Sequence, residues 1–482
     1  MKKLIVLLLI LTLLFFPLLL FAQIYEGRGK GIISEGFVSS DGGIEETHLS
    51  GTSSGGGVTP PSPPTPPSPT EQFYYHVRIN SYANTTIPEG VTRGVTYMGT
   101  TTQMLPVSVD GNTISNWNDN ATSWKSFVYS IAKPCMLRFD GTVDYYLDPE
   151  DQTKKLDGTD SDLVSLASAS AYQGNAMVEL KPIWISLSTE PYGVVDIDDR
   201  CEDYIDIKIA DHQIDNTYFC HAFTREDGSL SDKIYLGMYE GSLDGNNKVR
   251  SIPCLENQIY TNISSATTII EACRANGNNY YPMYGSLLTH LQVLHILVSK
   301  SVDSKASFGN GHFHNYASPA VDLGLYRDKG CFYGTHTDFT NGVKSFWCEN
   351  LWGNKAVLID GIKLNGDYVL FSKKPPFTTY EQANWFLAQY TYTPNIGKIN
   401  CIGCSNGFLY PSRVDYENPI VNEKSTCGYS GINTENSCTL HGSHFADNGA
   451  SNGMLTQSSN GFYNNTYVRF CGCRLAYIPP AN

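Results

Sequence analysis

The chain has 482 residues, of which only 17% are charged, a formal charge of −14 and a pI near 5.2. No basic cluster interrupts this acidic balance, which argues against a nucleic-acid partner. Abundant Gly, Asn, Ser and Thr together with 31 Tyr suit a β-rich, loop-rich exported protein better than a helical cytosolic enzyme, at a length that allows two or three domains.

Lys2 and Lys3 precede an apolar run from Leu4 to Phe21, with Ala22 at its end. Residues 1–22 read as an export signal, or as an uncleaved anchor, since 18 apolar residues meet the lower limit for a membrane span. Both readings put the remainder outside the cytosol, secreted or at the cell surface. The membrane is then reached only through this segment. Residues 23–57 are rich in Gly and Ser and run into "VTPPSPPTPPSPT", Val58 to Thr70, which holds seven of the 24 prolines. Residues 23–72 therefore form a disordered and then extended stalk, its Pro-rich part spanning roughly 40 Å at about 3 Å per residue.

From Phe73 the pattern turns strand-like. "FYYHVRI", "VTYMG", "SFVYSI", "CMLRF", "VDYYL" and "MVELKPIWISL" alternate apolar residues of β-branched and aromatic type, with turns at Asp140-Gly141 and Asp157-Gly158. A β-rich domain is expected over 73–245. A second domain, over 246–482, contains the one long helix the periodicity predicts, Ser286 to Val302, with Leu287, Leu291, Leu294 and Val298 on one stripe, widened by Leu288 and Leu297. Short strands and Gly/Asn loops follow to the end. The fold class expected is α+β, rich in β-structure, with little regular secondary structure in the second domain.

Twelve of the 13 cysteines lie between Cys201 and Cys473. In an oxidising compartment they read as disulfides. Cys201 with Cys220, Cys254 with Cys273, and Cys331 with Cys348 are sensible local pairs. Cys401, Cys404, Cys427, Cys438, Cys471 and Cys473 pair among themselves in an order the sequence leaves open, and Cys135 remains a buried thiol. Cys401-x-x-Cys404 has no second CxxC or HxxxH to complete a zinc site. His312 and His314 flank Phe313 and, with His336, form the nearest thing to a metal set; they read better as polar residues of a Gly/Asn loop. His290 and His295 stand five apart on the helix and cannot share a metal. No metal or other cofactor is expected.

"KPCMLRFDGTVDYYLDPEDQTKKLDGT" (Lys133–Thr159), "NAMVEL" (Asn175–Leu180), "YEGSLDGNNKVRSI" (Tyr239–Ile252), "FGNG" (Phe308–Gly311), "ENLWGN" (Glu349–Asn354) and "GCRLAYIP" (Gly472–Pro479) occur in this order. The series resembles phage tail and bacterial surface proteins that end in a C-type-lectin-like domain of the formylglycine-generating-enzyme subclass, many of them variable proteins of diversity-generating retroelements. The resemblance spans about residues 75–480. It implies that Glu349–Asn354 is a structural turn and strand in which Trp352 packs while Glu349 and Asn354 hydrogen-bond irregular backbone, a polar brace rather than an active site. Trp117-Asn118-Asp119 spells half of a lectin calcium site, but no Glu-Pro-Asn or Gln-Pro-Asp partner exists, so no calcium is expected.

Between Thr439 and Phe470 the chain is dense in Asn, Ser, His, Tyr and Phe and poor in Lys, Glu and Leu. That is the composition of a binding face: aromatic rings give contact area at small entropy cost and short polar side chains adapt their hydrogen bonds. The resemblance implies that His444, Phe445, Asp447, Asn448, Ser451 and Asn452 carry it. Tyr416 and Tyr429 in the preceding loop complete it. Gly442-Ser443 stands where the family commonly has Gly-Gly. The expected function is a secreted or surface-tethered protein that binds a cell-surface protein or glycan. The alternatives are an oxidase of the formylglycine-generating kind, with copper on Cys471 or Cys473, and a structural tail or filament subunit. The sequence around "LHGSHFADNG" departs from the context of such oxidases. Asn84, Asn120, Asn262 and Asn464 begin possible glycosylation sequons.

Overall fold

Strict alternation sets the first sheet. In Tyr74–Asn80, Val77 and Ile79 point inward and are fully buried, and the strand pairs antiparallel with Val95–Met98 on one side and Tyr204–Ala210 on the other. Trp184–Glu190 and Tyr218–Phe219 complete five strands. In this register Arg78 stands opposite Asp206 and grips its carboxylate with two hydrogen bonds of 2.7 Å. Burial alone would raise the Asp206 carboxyl, yet Arg78 and His76 hold it well below the usual carboxylate range.

The computed structural model describes residues 73–80, 94–190, 204–255, 266–313, 320–337, 339–365, 368–377, 385–388, 398–415, 437–442, 454, 457–459 and 471–481. The export segment, the stalk, Cys201, Cys427, His314, Asn84, Asn262 and Asn464 lie outside them. Pro69–Asn482 is one compact unit, β-rich and with five α-helices among the described residues, an α+β protein. Among the described residues no helix is long and apolar enough to cross a membrane.

The six-stranded sheet runs in the order Tyr280–Pro282, Arg474–Tyr477, Ile234–Glu240, Gly174–Leu180, Ala132–Arg138, Val143–Tyr146. Its strands come from both sides of residue 245. The boundary expected there therefore does not separate two bodies: Leu236 pairs with Ala476 on one side and Val178 on the other, in one continuous ladder. A third sheet is built on Ala356–Asn365, which pairs antiparallel with Tyr368–Ser372 and Ser437–His441 and parallel with Cys471–Gly472.

"SFVYSI", expected as a strand, is the helix Lys125–Ile131. Phe127, Tyr129 and Ile131 alternate as in a strand, but the buried set, Phe127, Val128 and Ile131, is a helical stripe. The long helix is Gly285–Ser299, three residues shorter at its end than expected, because Lys300 turns into the left-handed region with φ 54°. All 15 of its residues are buried. The apolar stripe is thus only half the story: the other sides, with Ser286, Thr289, Gln292 and the two histidines, are covered as well.

Candidate functional site

The stretch Phe346–Asn354 is local structure under strain that its surroundings enforce. Lys344–Ser345 pairs with Cys348–Glu349, and the two residues of the turn, Phe346 (φ 51°) and Trp347 (φ 60°), both sit in the left-handed region. Each costs roughly 1–2 kcal/mol there for a non-glycine residue, offset by burial of two aromatic side chains, 1% and 0% exposed. Asn350, Gly353 and Asn354 also have positive φ, a conformation that Gly and Asn tolerate.

Glu349, Trp352 and Asn354 turn their polar groups inward, mostly onto backbone, whereas the buried Asn350 amide finds no hydrogen-bond partner among the described residues. Glu349 accepts hydrogen bonds from the amides of Gly324 (2.7 Å) and Tyr326 (3.0 Å). Asn354 Oδ1 accepts from Val321 N at 2.8 Å, and its Nδ2 donates to Glu240 Oε2. Trp352 Nε1 donates to Gly309 O at 3.1 Å, with its indole edge-on to His295. These contacts hold loops that no ladder supports.

Two buried ionisable side chains, Arg474 and Glu240, complete the network, and the sequence reading assigned neither a role. Arg474 donates from Nη1 to Gly237 O at 2.8 Å, and from Nη2 to the carbonyls of Glu349 and, at 3.2 Å, Asn350. Glu240 accepts from Asn354 and from Lys355 N at 3.2 Å. Burial pushes its carboxyl up to about 8 against the pull of Arg474. Burial also raises the Glu349 carboxyl and lowers the Lys344 amine to about 8, each opposed first by the other's charge. Lys344 Nζ donates to Tyr326 O at 2.7 Å and to Gln152 Oε1. A charge inside an apolar strand, Glu240 in "IYLGMYE" and Arg474 in "RLAY", was the signal available, since such residues are rarely buried unpaired.

Neither of two surface pockets takes a wall from Glu349, Trp352 or Asn354. One, of about 260 Å³, is lined by Tyr129, Tyr146, Trp347, Pro134, Pro149 and Leu156. The polar handles of its rings are committed: Tyr129 to Glu150, Tyr146 to Glu179 and Trp347 to Pro149 O. The other, of about 620 Å³, is polar, with Lys248 and Arg250 over the Phe139 ring at 4.5 and 5.0 Å.

The expected binding residues Tyr416, Tyr429, His444, Phe445, Asp447, Asn448, Ser451 and Asn452 lie outside the described residues. Their flanks do not. Ser437–His441 pairs with Gln457–Ser459, and His441 and Met454 are 0% and 1% exposed. Parts of the Thr439–Phe470 segment are therefore core, not face. Met454 O accepts from Gln292 Nε2 and its N donates to Ser304 Oγ. Gly442 has φ 86°, and a Cβ on it would stand 3.0 Å from Leu351 O and 3.1 Å from Trp352 Cα. Its carbonyl accepts from Gly353 N at 2.7 Å. The brace thus grips the root of the 443–453 stretch.

The cysteines depart from the expected pairs. Cys254 and Cys273 are not bonded to each other, nor are Cys331 and Cys348, and Cys220 is a free thiol, whereas Cys135 is the buried thiol expected. The helix Ala266–Arg274 turns Cys273 toward Cys473, Sγ to Sγ 3.7 Å, while the Cys254 backbone is bridged to Leu323. Cys404 is half-buried. The side chains of Cys401, Cys438 and Cys471 lie outside the description.

The imidazoles serve structure. His312 Nδ1 and His336 Nε2 each donate to a backbone carbonyl, Thr340 O and Val109 O, in different places. His290 and His295 are buried among Phe223, Phe308 and Trp352. Asn118 caps its own turn through Asn120 N, and Asp119 faces Lys125 at 3.5 Å. Among the described residues no three His, Cys, Asp or Glu side chains gather as a metal site. No family model matches the chain, and no curated protein matches it either.

Proposed function

We propose that the chain is an exported, surface-displayed ligand-binding protein, with a C-terminal part of C-type-lectin-like architecture and the stretch 443–453 at the centre of its binding face. The observation that carries the reading is the grip of Leu351–Gly353 on Gly442. A residue series with the composition of a binding face starts from a braced glycine and ends at Met454, buried against the long helix. Function borne by a loop between fixed supports is a common division of labour, because the scaffold supplies the rigidity that recognition needs. The pairing of Ile234–Glu240 with Arg474–Tyr477 also supports the architecture: the region begins and ends on neighbouring strands, so the chain between them can vary without disturbing its closure.

The partner is a cell-surface protein or glycan, held by a few aromatic anchors within a polar rim. The test is binding of the full chain to glycan arrays and to cell-surface extracts, with the double substitution Phe445→Ala, Asn448→Ala. Binding should weaken at least about tenfold, the effect of roughly 1.4 kcal/mol, while thermal stability stays nearly unchanged. Calcium chelation should make no difference. A variant that folds and binds as the parent does would move the face elsewhere.

A further inference from the structure

We propose that Cys273 and Cys473 are a disulfide pair, and that their bond fastens the helix Ala266–Arg274 to the C-terminal strand. The two Sγ atoms lie 3.7 Å apart, both side chains are completely buried, and 200 residues separate them. The backbone on each side is already pinned. Cys273 O accepts from the amide and the side chain of Asn276, both at 3.1 Å, and Cys473 O accepts from Gly241 N at 2.8 Å. Next to Cys473, Arg474 O accepts from Met283 N at 2.7 Å. The sulfurs then have about 1.7 Å to close to reach the roughly 2.05 Å of a disulfide.

The bond closes the loop that contains the brace, the third sheet and the stretch 443–453. Cys473 is where the chain re-enters the six-stranded sheet, so the crosslink fixes the return of the chain that carries the third sheet and the proposed binding segment. Burial holds the Cys273 thiol protonated and out of reach once the fold is complete. The bond therefore forms while the chain folds. One thiolate attacks a disulfide oxidant, giving a mixed disulfide. The other displaces the oxidant's thiol, so two protons leave and two electrons pass to the oxidant. Afterwards the same burial keeps reductant from the bond until the fold opens, so reductant reaches it as the chain melts.

The test is refolding of the reduced full chain in a buffer of reduced and oxidised glutathione, followed by thiol alkylation and peptide mapping without reduction. This readout is independent of where the protein resides, so it can fail without touching the export reading, and the reverse. A linked peptide carrying Cys273 and Cys473, two hydrogens lighter than the sum of its parts, is expected. Alkylation of both thiols, or a link from Cys473 to Cys471 or Cys438, overturns the proposal. In addition, reduction should lower the melting temperature of the refolded chain by on the order of 5 °C. It should lower that of the Cys273→Ala, Cys473→Ala variant by less. A parent chain whose melting ignores reductant also overturns it.

Discussion

Arg474 reaches across from the C-terminal strand and donates to the main-chain oxygen of Glu349, the residue whose own carboxylate holds Gly324 and Tyr326. One guanidinium thereby ties the last strand to the turn that braces the loops. Arg474→Met should destabilise the chain by about 3–5 kcal/mol, because it orphans buried carbonyls and leaves Glu240 without its cation. Arg474→Lys should recover little, since an ammonium cannot span Gly237 O and Glu349 O at once. Denaturant unfolding measures both, and a Lys variant as stable as the parent would contradict the bridging role.

Trp352 fills space as well as donating. Trp352→Ala should cost about 3–5 kcal/mol through the cavity it leaves. Trp352→Phe should cost less, chiefly the bond to Gly309 O at about 1 kcal/mol. Secreted yield and melting temperature should fall in that order. A stable Ala variant that lost only ligand binding would turn the stretch into a site.

How far these features were legible depends on the range of the interactions. The alternation around Val77 and Ile79 and the glycines of the Asp140-Gly141 and Asp157-Gly158 turns are local, and the sequence shows them. The polar stretch around Trp352 stood out too, because two indoles beside Glu and Asn are unusual. Its partners did not: Glu240 is 114 residues from Asn354, and Arg474 is 125 from Glu349, and no periodicity links them. "SFVYSI" misled because a helix of only two turns, rich in β-branched and aromatic residues, also shows apolar residues at alternate positions. Local spacing likewise misled the cysteine pairs, since Cys273 faces a residue 200 positions away.

The two helix histidines make stability depend on acid. Burial lowers both to about 3, against a usual value near 6.5. Below pH 6.5 the unfolded chain takes up protons that the folded chain refuses, so stability is full above that pH and is lost as pH falls toward 3. Each histidine contributes a slope of about 1.4 kcal/mol per pH unit. Glu240 works oppositely over part of this window: raised to about 8, it binds a proton when folded that the unfolded chain takes up only near 4.5, so it stabilises as pH falls between those values. The decisive measurement is a difference. Denaturant melts between pH 4.5 and 6.5 should show a shallower acid loss for His290→Leu than for the parent, by about one histidine's slope. Parallel curves would mean that His290 is charged in the fold.

Gly442 joins the brace to the proposed face, so a substitution there should disturb both. Its φ of 86° disfavours any side chain, and an added methyl would press on Leu351 O and Trp352 Cα at 3.0 and 3.1 Å, both backbone atoms that cannot swing aside. Gly442→Ala should therefore cost at least about 1–2 kcal/mol, and it should loosen the bond from Gly353 N. If 443–453 bears the ligand, affinity should fall along with stability. Asn448→Ala should reduce affinity alone. The pair separates support from contact: melting temperature and binding are measured on both variants. Should Gly442→Ala melt early yet bind with the parent's affinity below its transition, the binding face would not be rooted at this glycine.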